Sequence, residues 1–473
     1  MVKGSPRRVT NSVAPQPWFL RSRGMTDTQQ STPSVPPSPR PSIAVIGAGL
    51  TGVNAALAFQ SQGWQVDLYS NRSRSALRDD LPATGTAILF GNSRVPDRTI
   101  TDDHYAGTPT AQFAASSVGI AGTPPEASFT ARFTYEAQSV DPRLRADDRL
   151  GEFLDKAATT SRFIVDEVTP ETLDTIAADH DLTFVATGKA GLADLFETDL
   201  ERTPYDSAQR YLLTVTAHGL PVDHVFRGRG STVPGGLLSL HEDGEIFVGP
   251  HLHKDGADSS DDSDDAWVIL AWARPGTATE EAFRSATDAR EALDVLQSLH
   301  HREFPDVAGD IDWLHPIDTD PHSWLKGAVT PRVHRPTART AGGHLIATLG
   351  DTSVAVDPIA GQGAQLATYQ VAGLRDGLRA ALDDGRDWDE ELLTELFDHH
   401  WQEHAEAGVE VTSLFLGDPL FAEVAQEFFA SAAADPAAAS ALFSLFSDPS
   451  PALVLRTAAD VRSFAASFRA AAA

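Results

Sequence analysis

One glycine-rich turn, set between a predicted strand and a predicted helix, restricts the fold of this chain more than any other feature. A β-branched run over residues 43–46 leads directly into G-x-G-x-x-G, and a helical pattern follows. In such a βαβ unit the first glycine permits the tight turn, the second lets a pyrophosphate approach the backbone, and the third lets the helix pack on the strand. The turn predicts a Rossmann-like domain that holds a dinucleotide at the helix N-terminus. The expected contacts are Gly47, Gly49, Thr51 and Gly52.

The end of the next predicted strand, residues 64–69, leaves the identity of that dinucleotide open. Rossmann domains often place an acid here to bind the ribose, but this chain continues with Ser70, Asn71 and Arg72. An arginine without an acid could indicate NADP, whereas the serine and the asparagine could equally bind a ribose hydroxyl. All three residues are candidate cofactor contacts.

A second glycine-rich segment, far along the chain, favours a flavin. A predicted strand over residues 344–349 runs into Gly350 and Asp351, and a glycine-rich turn then starts a helix with apolar positions at helical spacing. The acid suits a ribityl hydroxyl, and a helix N-terminus beside the isoalloxazine would stabilise reduced flavin by about 1 kcal/mol. The segment therefore predicts FAD. Its expected contacts are Gly350, Asp351, Pro358, Gly361, Gln362, Gly363, Ala364 and Gln365, with those from 358 to 363 near the isoalloxazine.

The order of four segments resembles the styrene and indole monooxygenases, the oxygenase components of two-component FAD-dependent monooxygenases. The segments are VDPRL at 140–144, DLTFVATGK at 181–189, KGAVTP at 326–331 and the glycine-rich block at 350–363. The resemblance implies that Arg143, Thr187 and Gly188 lie near FAD and that Asp351 contacts its ribityl chain. That family commonly has asparagine two residues after the last glycine, where this chain has Gln365.

This resemblance also implies a reaction. A separate NADH-dependent flavin reductase would supply reduced FAD, and O2 would convert it to a C4a-hydroperoxyflavin that epoxidises or hydroxylates styrene- or indole-like aromatic substrates or oxidises sulfides. No catalytic side chain is assigned, because this chemistry belongs to the flavin.

Other functions stay open beside this one. A single-component NAD(P)H-dependent aromatic hydroxylase is one alternative, although residues 186–191 lack the Asp-Gly element of that class. A non-catalytic flavin-binding protein is another. A flavin-dependent halogenase is disfavoured, because the chain lacks the W-x-W-x-I-P element.

The motif positions predict an α/β fold of the p-hydroxybenzoate hydroxylase type, in which a β-sheet substrate domain is inserted into a Rossmann-like FAD-binding domain. Because residues 1–42 are rich in Ser, Pro and Gln, they are expected to form a disordered extension. The FAD-binding domain is assigned to residues 43–78, 129–191 and 327–384, the substrate domain to 79–128 and 192–326, and a C-terminal helical region to 385–473.

Aromatic residues of the insertion are the candidates for substrate contact. Phe247, Trp267 and Trp272 lie in strand-like runs and would line an apolar pocket if their sheet covers the flavin, although such residues are more often plain core. In the C-terminal region Phe464 and Phe468 share a helical face, which favours packing. The expected substrate is therefore an apolar aromatic molecule.

Charge and composition exclude several partners and sites. A formal net charge of −29 opposes binding to nucleic acid or anionic membranes, and the lack of cysteine excludes thiolate nucleophiles and iron–sulfur clusters. No apolar run approaches the roughly 20 residues of a membrane span, so a cytoplasmic protein is expected, and a homodimer is compatible with the sequence.

The H-x-x-E-H pattern at 400–404 lacks a third ligand, and the acidic stretch 255–265 favours a solvated hairpin over a calcium loop, so no metal is predicted.

Overall fold

Two β-sheets, one of six strands and one of eight, organise the protein in a computed structural model that describes residues 40–82, 88–124, 127–156, 161–188, 191–256 and 265–472. Most of the predicted N-terminal extension and of the acidic stretch 255–265 lies outside these residues. The strands are β1 (Ser42–Ile46), β2 (Gln65–Ser70), β3 (Gln112–Ile120), β4 (Phe129–Gln138), β5 (Arg162–Val165), β6 (Leu182–Val185), β7 (Tyr211–His218), β8 (Gly236–His241), β9 (Gly244–His251), β10 (Ala266–Ala273), β11 (His315–Pro316), β12 (Trp324–Ala328), β13 (Arg332–Val333), β14 (Thr337–Arg339), β15 (Leu345–Thr348) and β16 (Val354–Ala355).

The helices cover both faces of the six-stranded sheet and form a C-terminal group. They are α1 (Leu50–Ser61), α2 (Arg74–Asp79), α3 (Arg94–Asp97), α4 (Pro142–Lys156), α5 (Pro170–Ala178), α6 (Ala278–Ser285), α7 (Ala289–Glu303), α8 (Pro305–Ile311), α9 (Gln362–Asp383), α10 (Glu390–His400), α11 (Glu406–Leu416), α12 (Ala422–Ala434), α13 (Pro436–Ser444) and α14 (Ala458–Ala472). Across the described ranges, none of these helices is long and apolar enough to cross a membrane.

The six-stranded sheet carries the glycine-rich turn in its middle. Its strands lie in the order β14-β15-β6-β1-β2-β5, and all neighbours are parallel except the edge strand β14. Helices α1, α4 and α9 contribute to the core on one face, and α5 packs on the other. Parallel strands covered on both faces are mostly apolar. Accordingly, residues 43–46 of β1 are all hydrophobic, and all four residues of β6 are buried. The carboxyl ends of β1, β6 and β15 meet at one edge, where such sheets bind ligands.

The eight-stranded sheet has the order β11-β7-β10-β9-β8-β3-β4, with β12 also paired to β7. One face packs on α6, α7 and α8, while β3 and β4 at its edge share a core with the C-terminal helices. These two sheets and the helical C-terminal region match the predicted α/β fold class.

Three predicted domain boundaries differ from the structure, at residues 43, 129 and 327. Residues from 129 onwards are predicted to belong to the FAD-binding domain, but β4 pairs along β3 in the eight-stranded sheet, with Phe129 opposite Val118. Strands β3 and β4 follow each other closely, so they pair as an antiparallel hairpin, and the family-like motif starts only at Val140. Likewise β12 carries residues 327 and 328 into this sheet, and β1 begins at Ser42.

Candidate active site

The first glycine turn has the geometry that its motif predicts. Gly47 has φ +111°, and its N–H donates to the Tyr69 carbonyl at 2.9 Å. A Cβ on Gly52 would overlap the Gly47 carbonyl oxygen, so the helix packs tightly against the turn. Gly49 differs, because its φ is −70° and a Cβ there would meet no protein atom within 4 Å. The backbone at Gly49 is thus open to an approaching ligand.

Two helices near this edge begin without a capping side chain. Gly49 precedes α1 and Gly361 precedes α9, and neither first turn contains an acid. By contrast, Thr169, Asp288 and Asp389 cap their own helices with side-chain oxygens. Uncapped N-termini keep backbone N–H donors and a positive dipole end available, which suits a pyrophosphate at one and an electron-rich ring at the other.

The glycine blocks, which are some 300 residues apart in sequence, meet at the carboxyl ends of the strands. A Cβ on Gly350 would lie 2.8 Å from Thr51 Cγ2, and one on Gly363 would lie 3.6 Å from Asp351 Oδ1. The hydroxyl of Thr352 donates to the Gly188 carbonyl at 2.9 Å.

Other predicted contacts lie around the same edge. The backbone nitrogen of Thr187 would lie 3.3 Å from a Cβ on Gly47, and Ala364 lies in the first turn of α9. Ser70 is buried at the end of β2, where its Oγ accepts from the Arg72 N–H at 3.1 Å, while Asn71 and Arg72 are exposed. The chain therefore presents these groups beside the first glycine turn.

Arg143, which the resemblance places near FAD, is the centre of a buried ion cluster. Its guanidinium donates to Asp141 at 2.7 and 3.0 Å, to Asp320 at 2.7 Å and to the Leu81 carbonyl at 3.2 Å. Although burial opposes ionisation, hydrogen bonds from Arg143 lower the pKa of Asp141, and those from His253 and Arg143 lower the pKa of Asp320. The cluster joins the start of α4 to the segment before β12.

The side-chain amide of Gln365 bonds to a neighbouring loop. It is buried, and its amide nitrogen donates to the carbonyls of Gly361, at 2.9 Å, and Ile88. Its amide oxygen accepts from the Phe90 N–H at 3.1 Å and from the Ser93 hydroxyl. This side chain therefore links the residue 88–93 loop to the start of α9.

Gln362 makes a similar link to the C-terminal helices. Its amide nitrogen donates to the Ala360 carbonyl at 2.9 Å and to the Phe446 carbonyl at 3.1 Å. The side chain, predicted beside the isoalloxazine, is thus committed to protein, and the backbone of Pro358 to Gly363 remains as the candidate surface.

A cavity of about 250 Å³ opens beside this glycine-rich loop. Pro358, Ile359 and Gly361 form part of its lining. Ile88 and Phe90 of the residue 88–93 loop also line it. Most other lining residues are apolar and come from the eight-stranded sheet and the C-terminal region, among them Phe113, Phe133, Leu238, Phe247, Leu270, Trp272, Phe415, Phe429, Phe443 and Phe446. The sheet therefore covers the candidate flavin position with an apolar pocket.

Only two of the three aromatic candidates in the insertion line this cavity. Phe247 and Trp272 do, whereas Trp267 is wholly buried against α6–α8, where its indole N–H donates to the Leu220 carbonyl at 2.8 Å. Residues 267 and 272 are an odd number apart in β10, so their side chains must point to opposite faces.

The C-terminal helices supply a wall that the sequence did not predict. Residues 443–447 are fastened by three hydrogen bonds: Tyr135 Oη to the Phe443 carbonyl (2.7 Å), Gln362 to the Phe446 carbonyl, and the Asn92 N–H to Ser447 Oγ (3.0 Å). Phe464 and Phe468 pack edge to face with ring centroids 5.4 Å apart, away from the cavity.

The histidines of the H-x-x-E-H pattern lie elsewhere: His400 ends α10, and His404 is in the π-helical turn Trp401–Ala405 that follows. Burial lowers the pKa of His400 to about 3, and the His404 ring stacks on Tyr369 with centroids 3.9 Å apart. Within the described ranges, no group of three or more histidines or acids is placed to bind a metal.

Known proteins are similar to this chain in sequence and in fold. No family model matches the chain. It is 25% identical over 337 residues to a styrene monooxygenase, StyA, of a Pseudomonas species, and 24% identical over 334 residues to that of Pseudomonas fluorescens. Each alignment covers 69% of this chain and 74% of the relative.

Solved structures share the fold. The flavin-dependent brominase Bmp2 matches with a TM-score of 0.59 at 11% identity, over 90% of this chain and 98% of its own. A flavoprotein/dehydrogenase from Cytophaga hutchinsonii matches with a TM-score of 0.57 at 12% identity, over 91% and 100%. The chain thus shares its fold with these flavoproteins, and in sequence it is similar to the styrene monooxygenases.

Proposed function

We propose that this chain is an FAD-dependent monooxygenase, the oxygenase component of a two-component system. The observation that carries the proposal is the contact between an apolar cavity and the glycine-rich loop at the uncapped start of α9. An apolar substrate in that cavity would lie directly against a flavin bound at the loop.

The residues at the sheet edge fit FAD. The open backbone at Gly49 and the N-terminus of α1 would take the pyrophosphate. The exposed Asn71 and Arg72, which follow the buried Ser70 at the end of β2, would contact a ribose. Asp351, beside Gly363, would accept a hydrogen bond from the ribityl chain. The backbone from Pro358 to Gly363 would face the isoalloxazine.

Bound reduced FAD would supply the oxygen-activating chemistry. The protein's part is electrostatic and steric. The N-terminus of α9 would stabilise negative charge on the ring by about 1 kcal/mol. The aromatic walls would exclude water and hold the substrate in line.

No cavity side chain needs to act as an acid or a base. Burial raises the pKa of Tyr135, whose hydroxyl donates to the Phe443 carbonyl, so it stays protonated and occupied. Glu245 is bound by the buried Arg210 through two hydrogen bonds, of 2.9 and 3.0 Å. Orientation and shielding are what the cavity offers.

The electron source is expected to be a separate NADH-dependent flavin reductase, and the substrate an aromatic alkene, an indole or an aryl sulfide. With an unrelated flavin reductase, NADH, FAD and air, the purified chain should form oxygenated product, and omission of the reductase should abolish it. NADH consumption and product formation without any reductase would instead indicate a single-component hydroxylase. The assay is chromatographic product analysis beside absorbance at the NADH band.

Replacing Phe446 with alanine should uncouple the reaction. Its ring packs on Phe90, Phe415 and Phe443, with centroids 4.8 to 5.6 Å apart, so truncation opens the C-terminal wall to water. The ratio of product to hydrogen peroxide should fall on the order of tenfold, as expected for a misplaced substrate. Phe468→Ala, which removes the same ring away from the cavity, is the control and should keep the ratio. An unchanged ratio in Phe446→Ala would mean that this wall does not shield the reaction.

A further inference from the structure

One end of the cavity carries its charged side chains, Glu245 and Arg274. Glu245 of β9 lies opposite Trp272 of β10 in the strand register, and Arg274 follows two residues later, so its side chain points to the same face of the sheet. The Arg274 N–H donates to the Asp243 carbonyl at 2.7 Å, which continues the ladder beyond the end of β10. The two charged side chains therefore lie side by side at one end of the sheet.

This charged end lies away from the glycine-rich loop. Phe90, whose ring would be 3.0 Å from a Cβ on Gly361, packs on Tyr135 of β4 with ring centroids 5.9 Å apart. Tyr135 lies near the start of β3, whereas Glu245 is level, through Leu240 of β8, with the last residue of β3. A long substrate with its reacting end beside the loop would thus direct its far end towards the charged groups.

Glu245 is already neutralised by a different arginine. The buried Arg210 donates to both of its carboxylate oxygens, at 2.9 and 3.0 Å. Arg274 lies 3.7 Å from the same carboxylate, and its guanidinium makes no hydrogen bond to any described residue. Two arginines beside one glutamate leave one positive charge, and that charge belongs to Arg274.

The neighbouring titratable groups do not cancel this charge. The Asp243 carboxylate lies outside the cavity lining and accepts from Thr279 Oγ1 at 2.8 Å. Burial lowers the pKa of His241, which lines this end of the cavity, so that it is neutral at pH 7. The region is therefore positive, and an anionic group is the ligand that would balance it.

Arg274 is also accessible and has the geometry for a carboxylate. Its side chain is 48% exposed, and a guanidinium offers two parallel N–H donors that match the two oxygens of a carboxylate. The net charge of −29 repels anions at long range. Salt screens exposed charges beyond about 8 Å, however, so contact with the guanidinium decides the affinity once a ligand is in the cavity.

We propose that the cavity selects aromatic substrates that carry a carboxylate at the end remote from the reacting group, and that Arg274 binds this carboxylate. The inference rests on the proposed function in taking this cavity as the substrate site. A neutral molecule of the same shape fills the same apolar walls but leaves the guanidinium without a counter-charge. It should therefore bind less tightly than the acid.

Pairs of carboxylates and carboxamides of equal shape test this directly. The probes are 4-vinylbenzoate, 3-(4-vinylphenyl)propanoate and 5-(4-vinylphenyl)pentanoate, each beside its amide, so that three lengths are sampled. By calorimetric titration of the full chain with FAD and without reductase, at least one acid should bind roughly fivefold to tenfold more tightly than its amide at pH 7. This preference should shrink in about 0.5 M sodium chloride, because Arg274 is partly exposed.

Two variants locate the preference. Arg274→Gln should abolish it and keep the amide affinity. Arg290→Gln is the control, because it removes an exposed positive charge from α7, which packs on the opposite face of the sheet, and it should retain the preference.

Equal or weaker binding of every acid by the wild-type chain would overturn the proposal, and so would a preference that survives in Arg274→Gln or that Arg290→Gln also abolishes. The wild-type comparison needs no variant, so it decides the matter even if a variant fails to fold. A preference for the acid without any oxygenated product would contradict the proposed function but support this inference. Oxygenation of acid and amide with equal affinities would do the reverse.

Discussion

Replacing Gly49 with valine should abolish tight FAD binding and leave the apoprotein folded. The backbone at Gly49, with φ −70° and ψ 177°, suits any L-residue, and a side chain there meets no protein atom within 4 Å. It would, however, stand over the start of α1, where the pyrophosphate must approach. Loss of two charge-assisted hydrogen bonds, each about 1.5 kcal/mol, corresponds to an affinity lower by about 100-fold. Titration of FAD fluorescence measures the change.

Substitutions at two other glycines serve as comparisons for Gly49→Val. Gly309→Val makes the same change at an exposed site in α8 that also has no protein atom within 4 Å, and it should alter neither FAD affinity nor the unfolding temperature. Gly52→Ala should prevent folding, because its Cβ would overlap the Gly47 carbonyl oxygen. If Gly49→Val bound FAD as the wild type does, the pyrophosphate would have to lie elsewhere.

Replacing Arg143 with methionine should cost about 3 to 5 kcal/mol of unfolding free energy at pH 7, because it leaves Asp141 and Asp320 buried without their cation. All three side chains are at most 4% exposed. Urea denaturation of the apoprotein measures the loss. Arg339→Met, which breaks an exposed pair with Glu390, is the control and should cost less than about 1 kcal/mol.

The destabilisation caused by Arg143→Met should depend on pH. In the folded protein the pKa values of Asp141 and Asp320 lie below the ordinary value of 3.8, so their ionised forms stabilise the fold above about pH 4. As the pH falls below that value, the unfolded chain takes up protons first and this stabilisation is lost. The difference in unfolding free energy between wild type and Arg143→Met should therefore shrink at pH 3. A difference that stays constant down to pH 3 would contradict the assigned charges.

The features that could be predicted from the sequence are those set by residues close together in the chain. Each glycine block combines a strand, a turn and a helix start within about 20 residues, so its conformation is set by its own residues, and the α/β fold follows from the two blocks. Strand alternation alone is also enough to separate Trp267 from Trp272, because both lie in one strand-like run at an odd spacing. The resemblance added the order of the segments between the blocks.

The features that could not be predicted depend on contacts between residues far apart in the sequence. The amide of Gln365 bonds to residues about 275 positions away, and the wall at 443–447 is held by Tyr135, Asn92 and Gln362. Arg143 lies in a family-like segment, but its partner Asp320 is 177 residues further along. None of these pairings leaves a periodic or spacing signal, because nothing near each residue in sequence fixes its partner.

Oxygen-isotope labelling tests the central claim most directly. The chain, an unrelated flavin reductase, FAD and NADH would be incubated with an aryl alkene or an aryl sulfide under 18O2, and the product analysed by mass spectrometry. If the chain is a flavin-dependent monooxygenase, each product molecule should carry a single 18O atom, and 18O-labelled water with ordinary O2 should give none. Consumption of NADH and O2 with hydrogen peroxide as the only oxygen product, across both substrate classes, would contradict the account.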